Sequence, residues 1–290
     1  MRTTTSTVAS TIASTRAELL RLRKWPAVWI TIGAWMALTT MFGYLFNYLS
    51  YKTGDTSFAN EGSTSQSLLA ELLPANIPDV FVQGMPMFGG ALMLMLGALV
   101  AGNGYGWGTW KTVFTQGPSR PSVVLGSVAA LSVFVVVTVL ATVAWCFGLS
   151  LLVAVTESQS VVWPSWGDLA ASTGVGVLVM EMFALVGYLL GTLARGPALS
   201  VGLALVWALV VENLLRGVGE LLGPVETFTK VLPGTGAGSL VGSLVGAGGP
   251  DPTPGVLDTL TGGQAIIVLL GYLLLAPLLS GWLVTRRDVA

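Results

Sequence analysis

Six long apolar runs, at 27–49, 80–101, 122–155, 169–193, 198–215 and 265–284, decide what this chain can become. A hydrocarbon core about 30 Å thick takes roughly 20 apolar residues in helical form, and every backbone amide inside it must be satisfied within the segment. Runs of this length predict an all-α polytopic membrane protein with six transmembrane helices. Composition agrees: of 290 residues, 53% are hydrophobic and 9% charged, against about 25% charged for an ordinary soluble domain. The 122–155 run exceeds what a perpendicular helix needs, so it tilts or projects beyond the bilayer.

The absent residues exclude whole classes of chemistry. The chain has no histidine and a single cysteine, Cys146, inside an apolar run. Ser-His and Cys-His catalysis, His-ligated zinc and haem, and an internal disulfide are all removed. No catalytic residue and no metal set is expected, and a net charge of −1 gives no footprint for nucleic acid.

Residues 1–24 are rich in Ser and Thr and lack the apolar core and cleavage site of a secretory signal. Val8, Ile12, Thr15, Leu19 and Leu22 fall on one helical face, with Arg16, Arg21 and Arg23 elsewhere round the wheel. That pattern predicts a helix lying in the membrane interface. A disordered polar tail as far as about Ser14 fits the first half equally well.

Between the second and third runs stands GNGYGWGTWKTVFTQGPSRP, residues 102–121. Four glycines open it (Gly102, Gly104, Gly106, Gly108), residues 109–116 suit a short helix, and Gly117-Pro118 forms a stop. Lys111 and Arg120 make it basic. Two readings stand side by side: a capped connector anchored by charge, or a docking helix that receives force from a soluble partner. Trp110 fits either a partner groove or the headgroup level, and Lys111 and Arg120 fit either a partner surface or anionic lipid.

The remaining connections are simpler. Residues 50–79 are polar and acidic, with Asp55, Glu61, Glu71 and Asp79; Trp163 and Trp166 form an interfacial pair; 194–197 is a tight turn. In the long segment 216–262, Gly238, Gly242 and Gly246 recur every four residues. Its apolar part is too short to span and suits a re-entrant segment with close contacts, while a flexible Gly-rich loop fits the same composition. With the N-terminus inside, Arg2, Arg16, Arg21, Arg23, Lys24, Lys111, Arg120, Arg195, Arg286 and Arg287 are cytoplasmic, and only Lys52, Arg216 and Lys230 lie outside. The positive-inside rule therefore predicts cytoplasmic termini and a cytoplasmic 103–121 loop.

Two acids fall within apolar runs. Glu181 lies near the middle of the fourth, where an exposed carboxylate costs about 2.5–3.5 kcal/mol by insertion scales, so it faces a cavity, is protonated, or is paired from another helix. Glu212 has Arg216 at i+4, which favours a local ion pair.

In order, LLRLRKWP, a first and second span, G-x-G-x-x-G-T-W-K with P-S-R shortly after, and a last span ending in TRRDV resemble the permease subunit of ABC transporters of the ABC-2 (type V exporter) class. The small permeases of bacitracin-resistance or sodium-efflux type look most similar. The resemblance covers nearly the whole chain, and GTWKTVFTQGPSR is its most specific piece. It implies an elbow helix on about 14–24, including Arg16, Glu18 and Arg21, and a coupling helix on about 108–116. Gly108, Thr109, Trp110, Lys111 and Arg120 would then face a separate ATPase. It also implies re-entrant helices before the last span, matching Gly238 to Gly246.

By that resemblance the chain forms a substrate path with a second permease, in a bacterial plasma membrane, and is not itself an enzyme. ATP and Mg would bind the partner ATPase and no cofactor would bind this chain; no G-x-x-x-x-G-K-[ST] loop occurs in it. The alternatives are a membrane scaffold or assembly subunit, and a secondary transporter without an ATPase.

Overall fold

The structure, a computed structural model, describes residues 4–54, 64–115, 118–219, 222–246 and 253–287. Arg2, Asp55, Glu61, Asp288 and the expected helix stop at Gly117 lie outside the described residues. In chain order the helices are α1 (Thr4–Lys24), α2 (Pro26–Thr53), α3 (Ser65–Leu72), α4 (Ile77–Gln83), α5 (Met85–Gly106) and α6 (Thr109–Thr115). Then come α7 (Arg120–Thr156), α8 (Trp166–Ala194), α9 (Pro197–Gly219), α10 (Gly223–Thr229), α11 (Pro233–Val245) and α12 (Gly262–Arg286). No strand occurs among the described residues. The six helices α2, α5, α7, α8, α9 and α12 are long and apolar enough to cross a membrane, as a multi-pass membrane protein requires.

The bundle is built around α5 and α8, which approach backbone to backbone. A Cβ on Gly97 would strike the carbonyl of Ala184, one on Gly187 the carbonyl of Leu94, and one on Gly191 Ala101 Cβ at 2.8 Å. In lipid, burying apolar surface gives little drive for helices to associate, and small residues that allow close van der Waals contact supply it instead. Outside this pair, α9 and α12 present Leu199, Leu203, Val210, Leu274 and Leu278 outward, as lipid-facing helices do.

α7 carries 37 residues, about 55 Å of helix at about 1.5 Å per residue, well beyond the hydrocarbon core. α1 packs along its first half. Gly126 makes the approach possible, because a Cβ there would lie 2.6 Å from Ser14 Cβ and 2.9 Å from Thr15 N. The helix is regular from Thr4 onward, so the reading of a disordered tail to about Ser14 gives way to helix. Leu22 is buried and Leu19 packs against the core, whereas Val8 and Ile12 on the same expected apolar face stay exposed.

The second span differs most from its expected bounds. It begins after a break at Gly84, preceded by the short buried helix α4, and runs on to Gly106 instead of ending at residue 101. Gly102, Gly104 and Gly106 are helical; each is small because something lies against it, Pro197 and Ser200 on Gly102 and Trp110 on Gly104. Only Gly108, at φ +66°, has a backbone that L side chains rarely adopt, and it is where the chain turns.

Among the described residues three stretches are wound as π-helix: Thr39–Leu45 in α2, Met85–Gly89 opening α5, and Trp207–Val211 in α9. Such turns bring residues five apart onto one face and recur at functional sites. α11, of 13 residues, is too short to cross the bilayer. Its middle is nonetheless enclosed, with every residue from Thr235 to Gly242 buried, while Ser243 and Leu244 in its last turn are exposed.

Candidate functional site

Among the described basic residues, Arg16, Arg21, Arg23, Lys24, Lys111, Arg120, Arg195, Arg286 and Arg287 gather at the bundle end that carries α1 and α6. Lys52, Arg216 and Lys230 lie at the other end. At the basic end α6 is seated by one side chain. The Trp110 indole lies against Gly104, where a Cβ would collide with its Nε1, and Nε1 donates to Ala101 O at 3.3 Å. Phe114 stacks on the indole at 5.2 Å, and Tyr105 lies 6.0 Å away. Trp110 is thus buried, while Thr109, Lys111 and Thr112 are exposed. Lys111 has no ion-pair partner among the described residues.

Arg120 is committed elsewhere. Its guanidinium donates to Val284 O and Arg287 O, both at 3.0 Å, and lies 5.5 Å over the Phe114 ring. It therefore caps the C-terminal carbonyls of α12, where a cation also meets the negative end of the helix dipole. Of the two expected partner-facing cations, Lys111 is free to serve and Arg120 holds the frame.

α1 joins this end through Arg21, which donates to Val100 O at 3.3 Å, pairs with Glu18 at 2.7 Å and lies 5.9 Å over Trp25. Trp25 meets Trp107 edge to face at 6.2 Å. Glu18 and Arg21 are thereby locked onto α5, while Arg16 is exposed.

The two intramembrane acids have different settings. Glu181 finds its partner on a neighbouring helix: Ser132 Oγ of α7 reaches Glu181 Oε1 and also Val128 O (3.0 Å), and with one hydroxyl proton it donates to one of them at a time. Glu181 Oε2 is buried without a hydrogen-bond partner among the described residues. No cation pairs with this carboxyl among the described residues.

Glu212 is 1% exposed and acts as a clasp. Oε1 accepts from Trp207 Nε1 at 2.8 Å and Oε2 from Gly234 N at 2.8 Å. The π-helical turn is what brings residue 207 round to residue 212. The expected ion pair with Arg216 exists only at 3.9 Å, and the guanidinium donates instead to Asn213 Oδ1 at 2.6 Å. The carboxylate's main work is to satisfy a first-turn amide of α11, a group no helical carbonyl can reach.

The three spaced glycines divide their tasks. Gly238 lies against the returning chain, close to Gly255 O, and its own carbonyl accepts from Leu257 N at 3.1 Å. Gly242 is buried and accepts from the amide of Gly246, whose φ of +79° ends the helix. Contact with a membrane helix is made by Gly236 instead, against Val268 and Leu269 of α12.

No group of three or more His, Cys, Asp or Glu side chains converges among the described residues. Ser132, Trp207 and Gly234 escaped the sequence reading, and Gly104, read there as one of four glycines opening the loop, proves to be the seat of Trp110. No protein-family model matches the chain, and no curated protein matches it either.

Proposed function

We propose that this chain is the permease subunit of an ATP-binding cassette exporter of ABC-2 type, driven by a separate ATPase and paired with a second permease. The observation that carries the reading is the seating of α6. A seven-residue helix between two spans is fixed to α5 by a buried Trp110, with Thr109, Lys111 and Thr112 turned outward. A mere connector has no need of such an anchor, and a helix that must pass force from a partner to a span does.

The basic residues around α6 support placing it in the cytoplasm of a bacterial plasma membrane, with both termini on that side. α1 would serve as the elbow and α11, buried and too short to span, as the re-entrant segment. ATP closing the partner dimer would shift α6, and through Trp110 the α5–α8 pair, so that the path between permeases opens outward. ATP and Mg would sit on the partner.

The test is affinity purification of the tagged chain from its native membrane in mild detergent. Recovery of a Walker-type ATPase with the intact chain, and its loss from Lys111→Glu, is expected. An intact chain that brings down no ATPase would put a scaffold or a secondary transporter in place of this reading.

A further inference from the structure

Away from α6, at the other end of the bundle, a cavity of about 230 Å³ opens between α2, α3, α4 and α5. Its lining is aromatic: the buried Trp35 of α2, and the exposed Phe42 stacked on Phe88 at 5.2 Å. Two of the three π-helical turns, Thr39–Leu45 and Met85–Gly89, supply those phenyl rings. Towards the bundle end the lining turns polar, with Asn47 and Glu71, and Asn47 Nδ2 donates to Glu71 Oε2 at 3.5 Å.

Glu71 is half-buried and has no ion-pair partner among the described residues. Lys52, on α2 beyond Asn47, is committed to Glu157 at 2.7 Å. The segments 55–63 and 247–252, which border the cavity in sequence, contain neither Lys nor Arg. A carboxyl drawn partly out of water without a counter-charge is held at a cost, and burial pushes the Glu71 carboxyl above the usual carboxylate range. Aromatic faces beside a lone carboxylate are the surroundings in which an organic cation is most favoured.

We infer that this cavity binds a small lipophilic ammonium cation, its apolar body against Trp35, Phe42 and Phe88 and its charged head at Glu71 and Asn47. The volume falls just below the usual range for small-molecule sites, about 300–1,000 Å³, and sets the scale of the ligand at a single ring bearing an alkylammonium group. The same chemistry is offered by a free amine and by the headgroup of an aminophospholipid. Binding here does not depend on the transport reading, and it is measurable on the chain without an ATPase.

The experiment uses the full chain in nanodiscs of digalactosyldiacylglycerol, a neutral lipid without an amine, and radiolabelled benzyltrimethylammonium as probe. Saturable binding at one site per chain is expected. Glu71→Gln, a near-isosteric change at a half-exposed position, should weaken it about tenfold, as loss of a charged partner does. Phe88→Ala should weaken it severalfold, and Glu226→Gln, an exposed acid elsewhere, should leave it unchanged. Neopentylbenzene, the uncharged carbon isostere, should not displace the probe. Displacement on adding phosphatidylethanolamine to the disc would assign the site to a lipid headgroup, and its absence to a free amine. Unchanged affinity in a folded Glu71→Gln chain, equal competition by neopentylbenzene, or no saturable binding up to about 10 mM would each overturn the inference.

Discussion

Trp110 lies on Gly104 with no room for a methyl group between them, and this one contact joins the exposed helix α6 to the central span α5. It turns a short loop into a rigid extension of the bundle core.

Gly104→Leu should therefore unseat α6 without disturbing the bundle. Overpacking at such a contact costs about 1–3 kcal/mol, and here the cheapest relief is to expel the indole. We expect limited proteolysis between residues 107 and 118 to accelerate severalfold while the thermal midpoint of the bundle moves little. Unaltered cleavage would mean that Trp110 is not the anchor.

A second substitution acts on the core itself. Gly187 faces the Leu94 carbonyl across the α5–α8 contact, so Gly187→Leu forces the two backbones apart. We expect the variant to express poorly or elute as aggregate. Gly202→Ala, at a position with nothing within 4 Å, should behave as the natural chain. Equal behaviour of the two variants would contradict the packing described.

For Glu212 the neutral isostere is the informative change. Both carboxylate oxygens accept from donors, Trp207 Nε1 and Gly234 N, and a Gln amide must turn its NH2 towards one of them. Leaving a buried donor unsatisfied costs about 1–3 kcal/mol. Glu212→Gln should thus lower the thermal midpoint, Glu212→Ala, which leaves both donors unsatisfied, should lower it further, and both should speed hydrogen exchange at the Gly234 amide. A Gln variant as stable as the natural chain would remove the clasp.

The opposite end supplies a pH test. Glu157 accepts from Lys52 Nζ (2.8 Å), Tyr48 (2.7 Å) and Tyr51 (3.2 Å), and the lysine and tyrosine hydrogen bonds hold its carboxyl below the usual carboxylate range. A carboxyl lowered in the folded state contributes stability that is present above its unfolded pKa, about 4.3. That contribution is lost as pH falls through the lower folded value. The thermal midpoint of Glu157→Gln should lie below that of the natural chain near neutrality, and the two should converge as the pH drops below about 4. A constant gap would show that the tie does not titrate.

How much of this was legible beforehand follows from what each feature depends on. The six spans depend on chain-local hydropathy measured against bilayer thickness, so their number could be read directly. The end of α5 could not, because glycine signals both a turn and a close approach. Gly104 and Gly106 do the second, and only Gly108 the first. The Glu212 clasp was hidden because its partner, the Gly234 amide, lies 22 residues away and has no side chain to announce it. Arg120 looked like Lys111 in sequence, and only the position of the α12 carbonyls separates their roles. The aromatic cavity needs two π-helical turns to aim Phe42 and Phe88, and hydrophobic periodicity does not report where a helix changes its winding.

The most direct measurement places a photo-reactive amino acid at position 111, with Trp166 at the opposite end of the bundle as the control position, and irradiates native membranes. We expect position 111 to cross-link a nucleotide-binding ATPase in high yield and position 166 to give none. Cross-links to lipid alone at position 111, or the same products at both positions, would contradict the proposal that α6 receives force from an ATPase.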